Sequence, residues 1–141
     1  MLRFILIVII LVGYLILSIP LLLIEWVIGK FNTRAKDISS LRIVQAVFRL
    51  MIFIAGVKTT VIGEENVPAD QAVLYIGNHR SYFDILLTYS RCPNLTGFVA
   101  KKEMKKAPLL NFWMMYLHCL FLDRENLKEG LKTILKGIEK I

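Results

Sequence analysis

The chain has few of the residues that build disulfide scaffolds and metal centres, with two cysteines and two histidines among 141 residues. Cys92 and Cys119 form no close pair and no C-x-x-C motif, which disfavours a disulfide framework and favours a reducing compartment. His79, His118 and the cysteines lack any recognised ligand spacing, so we expect no metal site. No internal repeat or low-complexity tract is evident.

Acidic residues are in the minority, with 11 Asp and Glu against 18 Lys and Arg, a formal net charge of +7. The sequence is also 56% hydrophobic and has a mean hydropathy of +0.59, which is too apolar for an ordinary soluble domain. Apolar and basic character together favour an anionic membrane surface or a phosphate-bearing substrate over nucleic acid.

The longest uncharged apolar run extends from Phe4 to Ile24. As a helix it would measure about 30 Å, enough to cross a hydrocarbon core, and Pro20 predicts a kink in its last turn. A signal peptide is disfavoured because the run is too long for an h-region and no small-x-small cleavage site follows it. Three basic residues follow the run, at Lys30, Arg34 and Lys36. By the positive-inside rule they predict that the following part of the chain is cytoplasmic.

A second apolar segment, Leu41 to Val57, differs because Arg42, Gln45 and Arg49 recur at helical spacing and form a polar stripe. Its wholly apolar part, from Leu50 onward, is too short to span a bilayer. We therefore predict an interfacial helix whose arginines face lipid headgroups, preceded by a turn. The alternative is a helix that packs on the first one or on the core of the following domain.

Beyond this segment, strand-like and helix-like runs alternate, which predicts an α/β domain. Strands are predicted at 58–62 (an edge strand), 72–76, 96–100 and 119–122, and helices at 83–89, 108–117 and from 127 onward. The last helix is amphipathic, with Asn126 and Glu129 as its capping pair. Its apolar face carries Leu127, Leu131, Ile134, Leu135 and Ile138, and its opposite face carries Lys128, Lys132, Lys136 and Lys140. We interpret the lysines as a solvated face.

Residues 78–84 read N-H-R-S-Y-F-D and lie between the strand of 72–76 and the next helix. Ser81 is a suitable N-cap, and Asp84 three residues later completes a capping-box-like pair. On one continuous helix His79 and Asp84 would point about 140° apart, so they meet only if His79 lies in the preceding turn. There Asp84 can orient the imidazole and leave its other nitrogen free to take a proton. The alternative is that both residues only build the turn and the helix start.

Four segments, in this order, carry a family resemblance. They are Gly63–Pro68 (G-E-E-N-V-P), Asn78–Asp84 (of the form N-H-x-S-x-x-D), Val99–Met104 (similar to A-K-K-E-L) and Phe121–Arg124 (an apolar strand ending in Asp-Arg). From about Val61 onward the chain therefore resembles the glycerolipid acyltransferases, the 1-acyl-glycerol-3-phosphate acyltransferase family. The family's F-P-E-G-T-R-like third motif and its fourth motif would follow Ile141, so we expect a C-terminally incomplete domain.

The resemblance implies that His79 is the general base on the free hydroxyl of a lysophospholipid and that Asp84 orients it. The activated oxygen would attack an acyl thioester, on CoA or on acyl carrier protein, with no further cofactor. Asn78 would shape the turn ahead of the histidine through side-chain-to-backbone bonds and is included among the candidate substrate-binding residues.

The resemblance further implies that Arg124 grips the substrate phosphate through its planar donor fork. Lys101 and Lys102 would meet that phosphate, the phosphates of CoA or an acidic carrier protein. The alternative for Arg124 is a surface ion pair with Asp123 or Glu125.

The resulting prediction is a membrane protein with anchoring helices in residues 1–57 and a cytoplasmic acyltransferase domain in residues 58–141. It would acylate the sn-2 hydroxyl of 1-acyl-glycerol-3-phosphate and give phosphatidic acid. Acylation of another lysolipid or of glycerol 3-phosphate remains an alternative, as does a membrane-anchored binding protein or an inactive remnant.

Overall fold

The computed structural model describes residues 2–68 and 70–138, which are mostly helical and contain one two-stranded sheet. The α-helices are α1 (Leu2–Leu17), α2 (Ile19–Phe31), α3 (Thr33–Ala55), α4 (Tyr82–Tyr89), α5 (Leu110–Tyr116) and α6 (Leu127–Ile138). The strands are β1 (Val99–Lys101) and β2 (Leu120–Leu122), and 3₁₀ helices cover Glu64–Asn66 and Lys102–Lys106.

The N-terminal apolar run forms two helices, which corrects the single helix predicted for residues 4–24. The axes of α1 and α2 are bent by 49° about Ser18. The Ser18 hydroxyl donates to the carbonyl of Leu15 at 2.8 Å and accepts from Trp113 Nε1 at 3.0 Å. Pro20, in the first turn of α2, has no backbone N–H and therefore removes one hydrogen bond that would have continued α1. The kink predicted from this proline is present, at the beginning of α2.

Helix α3 begins at Thr33, so the turn predicted over residues 31–40 is too long: only Asn32 separates α2 from α3. The side chain of Asn32 caps its start by accepting from the backbone N–H of Ala35 at 2.9 Å, and Gly56 ends it with a φ of 66°. Among the described residues, α3 alone is long and apolar enough to cross a membrane. The bent pair α1–α2 would be a second such span if it is counted as one.

The polar stripe of α3 faces the rest of the protein, which corrects the predicted orientation toward lipid headgroups. Gln45 is 1% exposed and donates from Nε2 to the carbonyls of Tyr89 at 3.0 Å and Cys92 at 2.8 Å. Arg49 donates from Nε and Nη2 to the carbonyl of Ser90 at 3.2 and 2.9 Å. Tyr89 ends α4 and the other two carbonyls follow it, in a region where helical carbonyls lack intrahelical donors. The carbonyl of Tyr89 also accepts from the backbone N–H of Cys92 at 3.3 Å, and the side chains of α3 supply the further donors.

The sheet is smaller than predicted. β1 and β2 pair in parallel, with Val99 opposite Leu120, and α5 lies in the connection between them. The predicted strands at 58–62 and 72–76 do not form within the described residues, and Ile76 is 87% exposed. A strand is stable only when its backbone groups pair with a neighbouring strand, and these segments have no such neighbour in the part described.

One core joins the N-terminal helices to the rest of the protein. Its buried members come from α2, α3, α4, α5 and the segments after α4 and α5, namely Leu22, Leu41, Val44, Tyr89, Cys92, Trp113 and Leu117. The side chains that surround the core therefore come from both sides of residue 57, the boundary predicted between anchor and domain. The helices and the domain pack as one body.

The final helix matches its prediction at its start, where Asn126 Oδ1 accepts from the backbone N–H of Glu129 at 3.2 Å. α6 packs against β2 at Gly130, where an added Cβ would lie 3.4 Å from Leu122 Cδ1 and 3.0 Å from the carbonyl oxygen of Asp123, just after the strand. Its larger apolar side chains are mostly exposed. Lys140, predicted on the opposite face, lies outside the described residues.

Candidate active site

The site predicted at residues 78–84 lies at the start of α4. Ser81 has an extended backbone, and its Oγ accepts from the N–H of Phe83 at 3.1 Å. Asp84 Oδ2 accepts from the N–H groups of Arg80 at 2.6 Å and Ser81 at 2.8 Å. The predicted capping box is therefore confirmed, and it holds the carboxylate of Asp84 over the turn that precedes the helix.

The same carboxylate lies beside His79, whose Nδ1 is 3.3 Å from Asp84 Oδ2. The predicted proximity of the two side chains is confirmed, and it arises because His79 belongs to the turn and not to the helix. Their catalytic role remains a prediction. The imidazole is 60% exposed, so a substrate hydroxyl can approach the nitrogen that does not face the carboxylate.

The turn keeps Asp84 ionised. Hydrogen bonds from the backbone of Ser81 and then of Arg80 lower the pKa of this carboxyl, and the neighbouring His79 lowers it further. An ionised carboxylate beside Nδ1 favours the tautomer that carries its proton on Nδ1. That tautomer leaves Nε2 of His79 without a proton, which is the arrangement that a general base would require.

Lys102 does not stand free to meet a substrate phosphate. Its ammonium lies 3.0 Å from Asp123 Oδ2, 3.1 Å from Asp123 Oδ1 and 3.4 Å from Glu125 Oε2. Asp123 Oδ1 also accepts from the N–H groups of Glu125 at 3.0 Å and Asn126 at 3.3 Å. These contacts raise the pKa of Lys102 and lower that of Asp123. The lysine therefore joins the end of β1 to the loop that follows β2.

Arg124 lies in that loop and is exposed. The ion pair proposed as its alternative role does not form, because Lys102 takes both neighbouring carboxylates, Asp123 and Glu125. Across residues 2–68 and 70–138 the guanidinium has no hydrogen-bond or ion-pair partner, so its donors are available. Its role in binding phosphate stays a prediction.

Lys101 and Asn78 are both exposed. Lys101 forms no ion pair within the described residues. The side-chain-to-backbone bond predicted for Asn78 does not form within the same residues, because the carboxylate of Asp84 holds this turn instead. Their roles in substrate binding stay predictions.

The second histidine has a buried acidic partner that the sequence did not indicate. His118 Nε2 lies 2.8 Å from Asp37 Oδ2, and Lys36 Nζ lies 2.9 Å from Asp37 Oδ1. The contact ties the turn before β2 to α3, which is a structural role for His118. The sequence signal for this contact was an acidic residue, Asp37, on the inward face of α3, but its partner His118 lies 81 residues away.

The thiols and carboxylates of the described residues form no group of three or more that could hold a metal ion. Burial raises the pKa of Cys92 and of Cys119, so both are thiols near neutral pH.

Comparison with known proteins identifies the family of the chain. The acyltransferase family profile matches residues 58–140, more than half of the chain. A 1-acyl-sn-glycerol-3-phosphate acyltransferase of Saccharomyces cerevisiae is 33% identical over 94 residues, covering 67% of this chain and 31% of that protein. A probable 1-acyl-sn-glycerol-3-phosphate acyltransferase of Mycoplasma pneumoniae is 35% identical over 85 residues, covering 57% of this chain and 31% of that protein.

Another relative, the lysophosphatidylcholine acyltransferase 1 of Homo sapiens, is 26% identical over 93 residues, covering 65% of this chain and 17% of that protein. No solved structure matches. The chain belongs to the acyltransferase family. It spans 31% of the length of the yeast and mycoplasma relatives.

Proposed function

We propose that the protein transfers a fatty acyl group from an acyl thioester to the sn-2 hydroxyl of 1-acyl-glycerol-3-phosphate, giving phosphatidic acid. The observation that carries the proposal is the 3.3 Å contact between His79 Nδ1 and Asp84 Oδ2, which lies within the residues matched by the acyltransferase family. The yeast and mycoplasma relatives, whose names specify this acceptor, support the choice of substrate.

In the proposed reaction, Nε2 of His79 takes the proton of the acceptor hydroxyl as its oxygen attacks the thioester carbonyl carbon. The carbon–sulfur bond then breaks, and the imidazolium returns its proton to the departing sulfur, so the products are an ester and a free thiol. Asp84 stabilises the imidazolium between these steps. A positioned base of this kind contributes about a hundredfold to ten-thousandfold to the rate.

The acceptor phosphate would bind Arg124. Its guanidinium lacks a carboxylate partner among the described residues, while both neighbouring carboxylates are bound to Lys102. An unpaired planar fork can contact two phosphate oxygens at once. Lys101, which is exposed at the end of β1, would add positive charge toward the acceptor or toward the phosphates of acyl-CoA. Acyl carrier protein is the alternative donor, and no further cofactor is required.

The protein would act at a membrane surface. Most large apolar side chains of α1 and α2 are exposed, among them Phe4, Ile9, Leu23 and Phe31. So large an apolar surface is typical of a membrane contact. Since α3 shares a core with α4 and α5, immersion of α1 and α2 would hold the His79 site next to the bilayer. The cluster Lys30, Arg34 and Lys36 supports a cytoplasmic location.

A second acceptor class is lysophosphatidylcholine, supported by the name of the human relative. The two acceptors differ at the phosphate, which is a terminal monoester in lysophosphatidic acid and carries choline in the other. An unpaired arginine favours the acceptor with the greater negative charge on phosphate.

The test is acyl transfer in liposomes that contain the purified chain, either lysolipid, and a labelled acyl group carried on CoA or on acyl carrier protein. We expect labelled phosphatidic acid, lost in His79→Ala and retained in His118→Ala, the matched histidine that lies outside the site. Folding of both variants is checked by circular dichroism. Equal activity in the His79→Ala variant, or no product from folded wild-type protein with either acceptor or donor, would overturn the proposal.

A further inference from the structure

Helix α3 holds the end of α4 opposite to the candidate catalytic pair. Nε2 of Gln45 lies 3.0 Å from the carbonyl of Tyr89 and 2.8 Å from that of Cys92, and Arg49 makes two hydrogen bonds to the carbonyl of Ser90. Three backbone carbonyls at or just after the C-terminal end of α4 thus accept hydrogen bonds from two side chains of α3. Burial of Gln45 to 1% exposure keeps water from replacing its bonds.

The orientation of the Gln45 amide is itself fixed. Arg42 donates from Nη1 to Gln45 Oε1 at 2.8 Å, so the amide oxygen faces an obligatory donor and its nitrogen faces the two carbonyls. Within the stripe, Gln45 and Arg49 therefore donate to the end of α4 directly, and Arg42 acts by orienting the Gln45 amide. This accounts for polar residues at helical spacing in a segment that is otherwise apolar.

The other end of α4 lacks comparable support. Its start, with Ser81 and Asp84, is held by the local capping box, and residues 77–82 are all exposed. Asp84 and Tyr89 lie only about 7.5 Å apart along the axis of α4, so both belong to one short helix that moves as a unit. A displacement of the C-terminal end of α4 therefore also moves the carboxylate of Asp84 in its first turn.

We propose that Gln45 and Arg49 are positioning residues for the His79–Asp84 pair: they fix α4 against the N-terminal helices and thereby set where the carboxylate meets the imidazole. The catalytic meaning of the inference rests on the proposed function, but the geometric coupling does not. It also links the two parts of the protein, because the helix that lies with the membrane-associated segments sets the geometry of the pair.

The experiment measures the site without turnover. The full chain is prepared in lipid nanodiscs as wild type, Gln45→Leu, Arg49→Met and Arg49→Lys, and the NMR signals of the His79 ring and the Asp84 carboxyl are titrated. Hydrogen exchange of the α4 amides is measured in the same samples. Ser18→Ala is the matched control for Gln45, since it also removes a buried partner but lies at the α1–α2 break. Arg34→Met is the control for Arg49.

In Gln45→Leu and Arg49→Met we expect the Asp84 midpoint to rise toward the ordinary carboxyl range, the His79 signals to shift, and the α4 amides to exchange about tenfold faster or more. Arg49→Lys, which keeps a donor, should restore much of the wild-type signature, and Arg34→Met should leave it unchanged. Ser18→Ala should leave the His79 and Asp84 signals unchanged. If Gln45→Leu and Arg49→Met fold and keep the wild-type signals of His79 and Asp84, the inference is overturned. Gln45 and Arg49 would then only stabilise the fold. If Gln45→Leu does not fold, the comparison of Arg49→Met with Arg49→Lys is the test.

Failure of this inference is distinguishable from failure of the proposed function. If the wild type transfers no acyl group yet the variants shift the His79 and Asp84 signals, the coupling stands and the enzyme proposal falls. If the wild type is active, displacement of the pair should lower kcat while the KM for the acceptor stays near its wild-type value.

Discussion

Trp113 Nε1 lies 3.0 Å from Ser18 Oγ, so a hydrogen bond joins α5 to the break between α1 and α2 across 95 residues of sequence. Both residues are fully or almost fully buried. One turn along, the hydroxyl of Tyr116 donates to the backbone carbonyl of Leu22 at 3.1 Å. The N-terminal helices are therefore part of the folded body, and their removal would expose a polar and aromatic face of α5.

Replacing Ser18 with alanine should destabilise the protein by about 1–3 kcal/mol, because Trp113 Nε1 would lose its acceptor in a site closed to water. The measurement is the free energy of unfolding in denaturant, at a fixed detergent concentration. Thr60→Ala, at an exposed loop position, serves as the control and should stay within about 0.5 kcal/mol of wild type. Equal stability of the Ser18→Ala and Thr60→Ala variants would mean that water or another group replaces the lost partner.

The adjacent lysines Lys101 and Lys102 offer a matched pair. Lys102→Gln removes the partner that does most to lower the pKa of Asp123, so the titration midpoint of Asp123 should rise in an NMR titration. Lys101→Gln should leave that midpoint unchanged, because Lys101 makes no ion pair in the described part of the chain. Equal responses of Asp123 to the two changes would show that general charge, and not the direct contact, controls its pKa.

Local parts of this fold could be predicted from sequence because neighbouring residues determine them. The capping box of Ser81 and Asp84, the Asn126 cap of α6 and the approach of His79 to Asp84 each involve residues no more than five positions apart. Backbone donors at a helix start need acceptors within the same turn, and only a few side chains can supply them. The candidate site was therefore accessible to sequence reasoning.

The errors arose where partners lie far apart in sequence. The polar stripe containing Gln45 has the same period whether it faces headgroups or a helix end, and its partners are 44 and 47 residues away. The contact between buried Asp37 and His118 was missed for the same reason. Residues 72–76 have the composition of a strand, but strand formation depends on a neighbouring strand that sequence periodicity does not supply.

Asp84 should make stability depend on acid pH. Hydrogen bonds from the backbone of Ser81 and Arg80 lower its pKa below the ordinary value of 3.8. A carboxyl with a lowered folded-state pKa contributes stability that is complete above its unfolded pKa and is lost as the pH falls through the folded one. Wild type should therefore be more stable than Asp84→Asn at pH 6, and the difference should shrink as the pH falls below about 4.

Unfolding midpoints of both proteins at several pH values provide the measurement. Asp123 also makes stability depend on acid pH, but it does so equally in wild type and in Asp84→Asn. Its contribution therefore cancels in the difference in stability between the two proteins. A difference that does not vary with pH would show that Asp84 acts as a neutral hydrogen-bond acceptor. If the proposed chemistry is correct, Asp84→Asn should also lower kcat about 100-fold or more, because the imidazole loses the carboxylate that fixes its tautomer.

Arg124→Gln should weaken binding of a phosphate-bearing acceptor more than it affects the chemical step. Charge-assisted hydrogen bonds contribute about 1.5–3 kcal/mol each, so the KM for lysophosphatidic acid should rise about tenfold or more while kcat changes little. Arg124→Lys should recover only part of this loss, because an ammonium cannot make the bidentate contact. Lys128→Gln, an exposed cation on α6, is the control and should leave KM unchanged. Equal KM changes in Arg124→Gln and Lys128→Gln would mean that surface charge attracts the substrate and that Arg124 holds no phosphate.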